Sequence, residues 1–373
     1  MNSGSILFVD DEENILKSLT RHLHFSDFRI LTALSGSKAL DILEKEEIDI
    51  VISDFRMPEM DGIKLLKQVR NKYPEINRII LSGFIDRTIV LESLVSGVAS
   101  TFLAKPWDDE ELEDKIKSLL LLRKKLKEKN VLKELSNITT FPTRKDIINK
   151  ITSTINEENA LEKIVNLIEK DVFLSARILQ IANSALWEKK GISSIRDAMK
   201  KLEINIIKDI LINLPAEDNL NDISGNREYQ KILKRSVIME KLLPHFAKYF
   251  LKTTAHHDFP SIGLIYKTGE IIKERYLRDK DISVPEIGGM FLELWNMPGI
   301  LVESALYYQN PQSAKGENKD LIVILNYLDN LISNIDAEKD RKLFDRIYLQ
   351  DIEDEEINKI ALYFQDKYGT KIG

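Results

Sequence analysis

The stretch Ile6-Leu-Phe-Val-Asp10-Asp11 determines how the first third of the chain is interpreted. It is an apolar run that ends in two carboxylates, and a second run, Ile48-Asp-Ile-Val-Ile-Ser-Asp54, ends in the same way. Short apolar runs of this kind are typical of buried strands, and parallel sheets collect functional groups at the carboxyl ends of their strands. We therefore expect Asp10, Asp11 and Asp54 at one edge of a parallel α/β sheet.

Two further polar residues follow apolar runs and extend this predicted edge. Ser82 follows Arg78-Ile-Ile-Leu, and Lys105 follows Thr101-Phe-Leu-Ala. Clustered carboxylates repel one another unless a cation lies among them, and Mg²⁺ prefers oxygen ligands. A carboxylate beside a metal and a lysine is a competent nucleophile towards phosphorus. The pattern therefore predicts a phosphoryl-transfer site.

The first third alternates these strands with amphipathic helical patterns, as a doubly wound five-stranded parallel sheet requires. The helical patterns cover residues 12–25, 36–46, 62–73, 86–96 and 108–122. Asp61 precedes the third pattern and is interpreted as a helix cap, a structural role.

Residues 5 to about 122 resemble the receiver domain of two-component response regulators, which has a flavodoxin-like fold. The resemblance rests on the spaced residues Asp10 and Asp11, Asp54, Ser82, Phe102, and Lys105-Pro106. It implies that a sensor histidine kinase is the partner.

The same resemblance implies a role for each residue of the set. Asp54 would be the phosphoacceptor, and Mg²⁺ would be held by Asp10, Asp11, the Asp54 carboxylate and the main-chain carbonyl of Arg56. Ser82 and Lys105 would bind the phosphoryl oxygens, and Ser82 and Phe102 would form the switch that responds to phosphorylation.

The fifth helical pattern does not stop where the sheet should end. It opens with acidic residues at 108–111 and continues into the basic segment 123–129, a charge order that suits the helix dipole. We expect a linker helix over residues 123–135 that continues from the fifth helix. A solvated helix face explains its lysines better than nucleic-acid binding does.

From about residue 130 the periodicity is helical, which predicts an all-α second half. Two segments, from Ile168 to Ala185 and from Ile192 to Ala198, resemble the HDOD domain of bacterial signalling proteins. That family is related to the metal-dependent HD phosphohydrolases and lacks their complete metal site. Asn183-Ser184 could mark a recognition surface, but buried polar side chains bonded to the backbone are commoner.

An HD enzyme needs His and Asp side chains that converge on metal ions. Where an HD domain has Gly-Leu-Leu-His-Asp-x-Gly, this chain has Gly263-Leu-Ile-Tyr266-Lys267-Thr-Gly269. The residues at the expected ligand positions are Tyr266, Lys267, Val284, Tyr308 and Gln309. They cannot rebuild a site of imidazoles and carboxylates. The remaining cluster, His256-His257-Asp258, is interpreted as a solvated loop feature.

Composition limits the class of protein. The chain has 373 residues, no cysteine and a net charge of −6, and its longest apolar runs are far shorter than a membrane span. Residues 1–122 carry a charge of −7 and the remainder +1, so the second half lacks the basic bias of a nucleic-acid module. We expect a cytoplasmic protein, without disulfides, that binds neither membrane nor nucleic acid.

The combined prediction is an α/β plus all-α response regulator that signals by protein binding and is not an enzyme. We expect a receiver over residues 1–122, the linker over 123–135, the HDOD domain over 136–340 and a tail over 341–373 with a helix from Glu355 to Tyr368. The partner of the HDOD domain is unknown, and a phosphorylation-dependent homodimer is possible. The alternatives are a cyclic-dinucleotide phosphodiesterase of HD-GYP type and a DNA-binding transcriptional regulator.

Overall fold

The structure is a computed structural model with two parts, an N-terminal α/β part and a C-terminal helical part. It describes residues 4–23, 27–83, 93–138, 143–157, 160–184, 191–202, 204–213, 216–217, 227–251, 259–334, 342–343 and 354–368. Among these residues, no helix is both long enough and apolar enough to span a membrane.

The N-terminal part contains the predicted five-stranded parallel sheet, which is confirmed with the strand order β2-β1-β3-β4-β5. Its strands are β1 (Ser5–Val9), β2 (Arg29–Ala33), β3 (Ile50–Asp54), β4 (Asn77–Ser82) and β5 (Thr101–Ala104). Its helices are α1 (Glu13–His22), α2 (Gly36–Leu43), α3 (Gly62–Lys72), the helical residues 93–95 as α4, and α5 (Asp109–Glu128). The order reverses at β1, so a crevice forms at the carboxyl ends of β1 and β3.

Helix α5 extends past the sheet, but it does not continue to residue 135 as predicted. It ends at Glu128, and a separate helix α6 (Leu132–Asn137) follows. Asn130 adopts a left-handed φ of 54°, and Val131 N–H donates to Leu126 O at 3.1 Å. This is a Schellman turn, in which asparagine is the commonest substitute for glycine and an apolar contact accompanies the bonds. The linker is therefore two helices joined by a tight turn.

The C-terminal part is helical, as predicted. Its helices are α7 (Lys145–Thr154), α8 (Ala160–Ile168), α9 (Val172–Ala182), α10 (Ile195–Lys201), α11 (Ile204–Asn213), α12 (Arg227–Leu251), α13 (Phe259–Ile265), α14 (Thr268–Tyr276), α15 (Val284–Leu294), α16 (Gly299–Tyr307), α17 (Lys319–Asn334) and α18 (Asp354–Tyr368). Two short strands, Thr143–Arg144 and Ala216–Glu217, also pair in parallel. They are too short for an alternating apolar pattern to reveal them.

Asp171 is an example of how the sequence sets a boundary in this part. Its Oδ1 accepts hydrogen bonds from the N–H groups of Phe173 and Leu174 at 3.0 and 2.9 Å, so it caps α9. The tail helix is also confirmed: α18 buries Ile357, Ile360 and Phe364.

A buried ion pair holds the second half of α5 to the base of the sheet. Arg123 is almost fully buried and donates from Nη2 to Asp49 Oδ1 at 3.1 Å and from Nη1 to Glu75 O. Lys127 Nζ donates to the same Asp49 oxygen at 3.0 Å. Burial opposes ionisation of Asp49, but its bonds to Lys127 and Ser5 and the charge of Arg123 outweigh burial and lower its pKa.

We predict that Arg123→Met lowers the free energy of unfolding by about 3–5 kcal/mol, because Asp49 loses its buried partner and keeps only the exposed Lys127 as an ion-pair partner. The exposed pair between Lys72 and Glu44 is the control, since Lys72→Met should cost about 1 kcal/mol or less. Urea unfolding measures both variants. Equal losses in the two variants would contradict the role given to Arg123.

The pH dependence of this pair has a definite sign. The folded chain lowers the pKa of Asp49 below its usual 3.8, so the ionised carboxylate stabilises the fold above about pH 4 and this contribution is lost as the pH falls below that value. The difference in stability between wild type and Asp49→Asn should therefore shrink below pH 4. A difference that is constant from pH 6 to pH 3 would contradict the assignment.

Candidate functional site

Parallel pairing brings four of the predicted site residues to one edge of the sheet. Asp54 and Ser82 are the last residues of β3 and β4, and Asp10 and Lys105 directly follow β1 and β5. These strands pair in register up to their final residues. The carboxyl ends of four strands therefore form one candidate site.

Lys105 lies between the two buried carboxylates of this site. Its Nζ donates to Asp10 Oδ2 and to Asp54 Oδ1, each at 2.6 Å. The Asp10 side chain is 3% exposed and the Asp54 side chain 11%. Two negative charges that contact the same ammonium lie close enough to repel each other strongly where water is scarce. The positive charge of Lys105 offsets that repulsion.

Main-chain N–H groups orient the other carboxylate oxygens. Glu12 N–H donates to Asp10 Oδ1 at 2.9 Å, and Arg56 N–H donates to Asp54 Oδ2 at 2.6 Å. The main-chain N–H of Arg56 therefore lies at the site, and the role of the Arg56 carbonyl as a metal ligand stays a prediction. Each carboxylate is fixed by one main-chain bond and by the lysine.

The turn after β3 depends on one glycine. A Cβ added to Gly62 would lie 2.2 Å from the main-chain oxygen of Asp54, so a larger residue would displace the site. Asp61, just before it, accepts a hydrogen bond from Lys64 N–H at 2.7 Å and caps α3. The structural interpretation of Asp61 is confirmed.

The electrostatics of the site favour addition of a cation. Burial raises the pKa of Asp54, and the charge of Asp10 raises it further, against the bond from Lys105 that lowers it. Burial alone would lower the pKa of Lys105, but its bonds to Asp10 and Asp54 outweigh burial and raise it. Lys105 therefore keeps its positive charge, but that charge does not fully offset the effect of burial and of Asp10 on Asp54.

The donor chemistry of the site fits Mg²⁺. Proteins bind this ion through one or two carboxylates with water completing an octahedron, and Asp10 and Asp54 supply two. Asp11 is exposed directly beside Asp10. Within the described ranges, no three His, Cys, Asp or Glu side chains converge as a metal site, so the structure brings Asp10 and Asp54 together and leaves Asp11 outside that pair.

The structure describes the two predicted switch residues unequally. Phe102 lies in β5 opposite Ile80 and is fully buried. Ser82 occupies the end of β4 opposite Ala104, and its side chain lies outside the described residues.

In the helical part, four of the five residues at the HD ligand positions come together. Lys267 is 1% exposed, and its Nζ lies 2.5 Å from Glu270 Oε1 and 3.1 Å from Asp329 Oδ1. Tyr266 OH donates to Asp329 Oδ1 at 2.8 Å, and Tyr308 OH donates to Glu270 Oε1 at 2.9 Å. Lys267, which is predicted to replace the acid of an HD domain, therefore places its ammonium beside two carboxylates.

Two more contacts complete this region. Gln309 Nε2 donates to Tyr308 OH at 2.9 Å. Val284 contributes main-chain packing, because a Cβ on Gly269 would lie 2.1 Å from the main-chain oxygen of Val284.

Glu270 and Asp329 were not predicted from the sequence as part of this region. Glu270 had a signal, since it lies three residues after Lys267 on one helix face, but nothing in the sequence connects Asp329 to them.

The other singled-out residues of this part have structural roles or lie outside the described ranges. Asn183 Nδ2 donates to Leu179 O at 2.8 Å, and its Oδ1 accepts from Ile192 N–H at 2.8 Å. Ser184 Oγ donates to Ile181 O. The backbone-bonded interpretation of this pair is confirmed. The cluster at 256–258 lies outside the described residues.

The sequence did not predict the contact between the two parts. Arg177 of α9 is buried and donates from Nη1 to Gln180 Oε1 at 2.5 Å and to Leu94 O of α4 at 3.4 Å. Its Cζ lies 4.5 Å from the ring centroid of Trp295, and burial lowers its pKa to about 9. An arginine of the helical part therefore contacts a helix of the sheet part.

Further polar contacts continue along α5 and the linker. Lys115 of α5 donates to Asn296 Oδ1, and burial lowers the pKa of Lys115 to about 8. Lys129 pairs with Glu286 at 3.1 Å, and Lys280 pairs with Glu134 at 2.8 Å. These contacts join α4, α5 and α6 to α9, to α15 and to the segment that follows α14.

Comparison with known proteins agrees with both resemblances. Residues 6–117 match the response regulator receiver domain, and residues 141–280 match the HDOD domain. Sporulation initiation phosphotransferase F of Bacillus subtilis is 35% identical over 123 residues, which are 33% of this chain and 98% of that protein. The hydrogenase transcriptional regulatory protein HoxA of Cupriavidus necator is 33% identical over 114 residues, 31% of this chain and 23% of that protein.

Among solved structures, the signal receiver domain of an HD domain-containing protein from Pseudomonas fluorescens is 34% identical, with a TM-score of 0.32. It covers 33% of this chain, and the match spans 98% of that structure. The chain thus covers nearly all of sporulation initiation phosphotransferase F but less than a quarter of HoxA. The chain belongs to the two-component response regulators, and in it a receiver domain is followed by an HDOD domain.

Proposed function

We propose that Asp54 accepts a phosphoryl group from a sensor histidine kinase and that the HDOD domain transmits the signal by binding another protein. The observation that carries the first half is the placement of Lys105 Nζ at 2.6 Å from both Asp10 and Asp54. A charged donor at this point can stabilise negative charge that develops on a transferred phosphoryl group.

The roles of the residues follow from their atoms. An Asp54 carboxylate oxygen attacks phosphorus, the bond from phosphorus to the kinase histidine nitrogen breaks, and an acyl phosphate forms. Arg56 N–H holds the other Asp54 oxygen, and Lys105 and Ser82 contact the phosphoryl oxygens. Mg²⁺, held by Asp10, Asp11, Asp54 and the Arg56 carbonyl, would supply positive charge to the transferred group.

The proposal for a non-catalytic output rests on the Lys267 cluster, which contains Lys267, Tyr266, Glu270, Tyr308 and Asp329. HD phosphohydrolases use bound metal to generate their nucleophile, and an ammonium in that place cannot bind a metal or activate water as one does. This argues against the HD-GYP phosphodiesterase alternative. The near-neutral charge of residues 123–373 argues against the DNA-binding alternative.

Coupling between the domains is proposed to pass through the face that contains α4, β5 and α5. This face contains Phe102 and packs on the HDOD domain through Leu94 and Lys115. A rearrangement at Ser82 and Phe102 would change the packing of this face. Coupling needs only about 1–3 kcal/mol, which one charged adduct can supply. This change would expose a surface of the HDOD domain or allow a homodimer to form. We propose that the protein is cytoplasmic.

The proposed domain boundaries keep their predicted positions. The receiver covers 1–122, the linker 123–135, the HDOD domain 136–340 and the tail 341–373. The linker carries buried side chains, including Leu126, Val131 and Leu135, that belong to one hydrophobic cluster with residues of both domains. It is therefore proposed to act as part of the interface and not as a loose tether.

We predict that Mg²⁺ and a small phosphodonor label Asp54 and that Asp54→Asn abolishes the label, because the nucleophile is lost. Lys105→Met should slow labelling by about 10²-fold, since one charged donor to the transferred group is removed. Asp61→Asn, which keeps a helix-capping side chain, is the control and should label normally. Mass spectrometry of the trapped adduct measures all four proteins, and wild-type labelling of Asp54→Asn would reject the assignment.

We predict that the full chain with Asp10→Asn and Asp54→Asn holds no stoichiometric transition metal and does not hydrolyse cyclic dinucleotides. The two substitutions remove the buried carboxylates of the proposed receiver metal site, so we expect any tightly bound metal in this variant to lie outside the receiver. Elemental analysis and product chromatography measure the two properties. One or two tightly bound metals per chain, with activity that chelation abolishes, would place the protein among the enzymes.

We predict that beryllofluoride with Mg²⁺ increases hydrogen exchange in residues 93–98 and 108–135, because it mimics the phosphoryl group and loosens the interface. Arg177→Ala should raise exchange in the same segments without the mimic, and Ser82→Ala should weaken the response to it. Arg196→Ala removes an exposed arginine and is the control. Identical exchange with and without the mimic, at saturation of Asp54, would leave two independent domains.

A further inference from the structure

The Lys267 cluster raises a question that the phosphoryl-transfer proposal does not answer. Lysine is almost never fully buried unless it is paired, yet Lys267 is 1% exposed. Nothing in the function proposed above requires an ammonium at this depth. The HD relatives have a metal at the corresponding position, and the residues of this chain do not fit one.

The contacts of Lys267 join three helices. Lys267 is the N-cap residue of α14, Glu270 lies in α14, Asp329 lies in α17, and Tyr308 directly follows α16. The ammonium contacts both carboxylates, and each carboxylate also accepts a bond from a tyrosine. The ammonium of Lys267 therefore holds together two carboxylates and their tyrosine partners, which belong to elements far apart in the sequence.

The two tyrosines enclose the ammonium and keep their protons. Lys267 Nζ lies 5.1 Å from the ring centroids of both Tyr266 and Tyr308, and the rings are perpendicular to each other. Burial raises the pKa of each phenol, and the neighbouring carboxylates raise it further. Both hydroxyls therefore act as hydrogen-bond donors to the carboxylates. Among the described residues, the ammonium of Lys267 is the only cation between Glu270 and Asp329.

We propose that the Lys267 ammonium is the resident cation of the HDOD domain and takes the structural place that a metal ion has in its HD relatives. It holds Glu270 and Asp329 together as a metal would hold its acidic ligands. Because the cation is covalently part of the chain, the domain keeps this arrangement without any bound metal. This inference is independent of the phosphoacceptor role of Asp54.

Charge, and not side-chain volume, is what this role requires. Methionine fills nearly the volume of lysine without the charge, so Lys267→Met would leave two carboxylates uncompensated. Removal of one partner from a largely buried ion pair corresponds to a fall in melting temperature of about 10 °C for a domain of this size. Removing one of the two acids as well would recover part of that loss.

The test is thermal unfolding of the full chain, followed by circular dichroism at pH 7.5. We expect Lys267→Met to melt about 10 °C lower than wild type and Lys267→Met/Glu270→Gln to melt higher than Lys267→Met. Lys231→Met is the matched control: Lys231 also pairs with a glutamate three residues away but is 61% exposed, and its loss should shift the melting temperature by less than about 2 °C. A double variant that melts no higher than Lys267→Met would overturn the proposal.

If Lys267→Met does not fold, the soluble yields of the two variants are compared. A higher yield of Lys267→Met/Glu270→Gln than of Lys267→Met would support the proposal, and an equal yield would overturn it. A second measurement uses Mn²⁺ as the probe in a chain that carries Asp54→Asn, which removes one receiver ligand. Lys267→Ala in that background opens space beside Glu270 and Asp329, so Mn²⁺ should raise its melting temperature more than that of Asp54→Asn alone. Equal shifts would overturn the proposal.

Discussion

The architecture of this protein depends on one constraint, that two carboxylates close together and largely shielded from water need a cation between them. Lys105 meets it in the receiver, where parallel strand register brings Asp10 and Asp54 together. Lys267 meets it in the HDOD domain, between Glu270 and Asp329. The two lysines differ in access: the Lys105 side chain is 17% exposed, which would let it contact the phosphoryl group proposed for Asp54, whereas the Lys267 side chain is 1% exposed.

The contact between the domains gives the receiver a physical route to the HDOD domain. One hydrophobic cluster extends from the sheet through Leu126 and Leu135 into the helical domain. Packed interfaces of this kind have discrete arrangements and do not deform continuously, so a small change at the sheet edge can select between arrangements. Arg177 is suited to respond, because its guanidinium joins Leu94 of α4 to Trp295 of the HDOD domain.

The sequence predicts the receiver well because its signals are local. Apolar strands that end in Asp54 or precede Lys105 identify both the sheet and its functional edge, and the register then brings the side chains together. The end of α5 could have been predicted from Asn130, which tolerates the left-handed conformation, but the lysines around it continue the helical pattern. The partner of Lys267 could not be predicted, since only tertiary packing brings Asp329 to it.

The shared core between the domains has an evolutionary consequence. Residues 118–140 fall outside both family matches, yet Leu126, Val131 and Leu135 in that segment are fully buried. A receiver acquired from another regulator by recombination would not bring complementary side chains for this segment. Gene fusion alone would therefore produce a chain with an exposed apolar seam. The receiver, linker and HDOD domain of this protein are expected to have diversified as one unit.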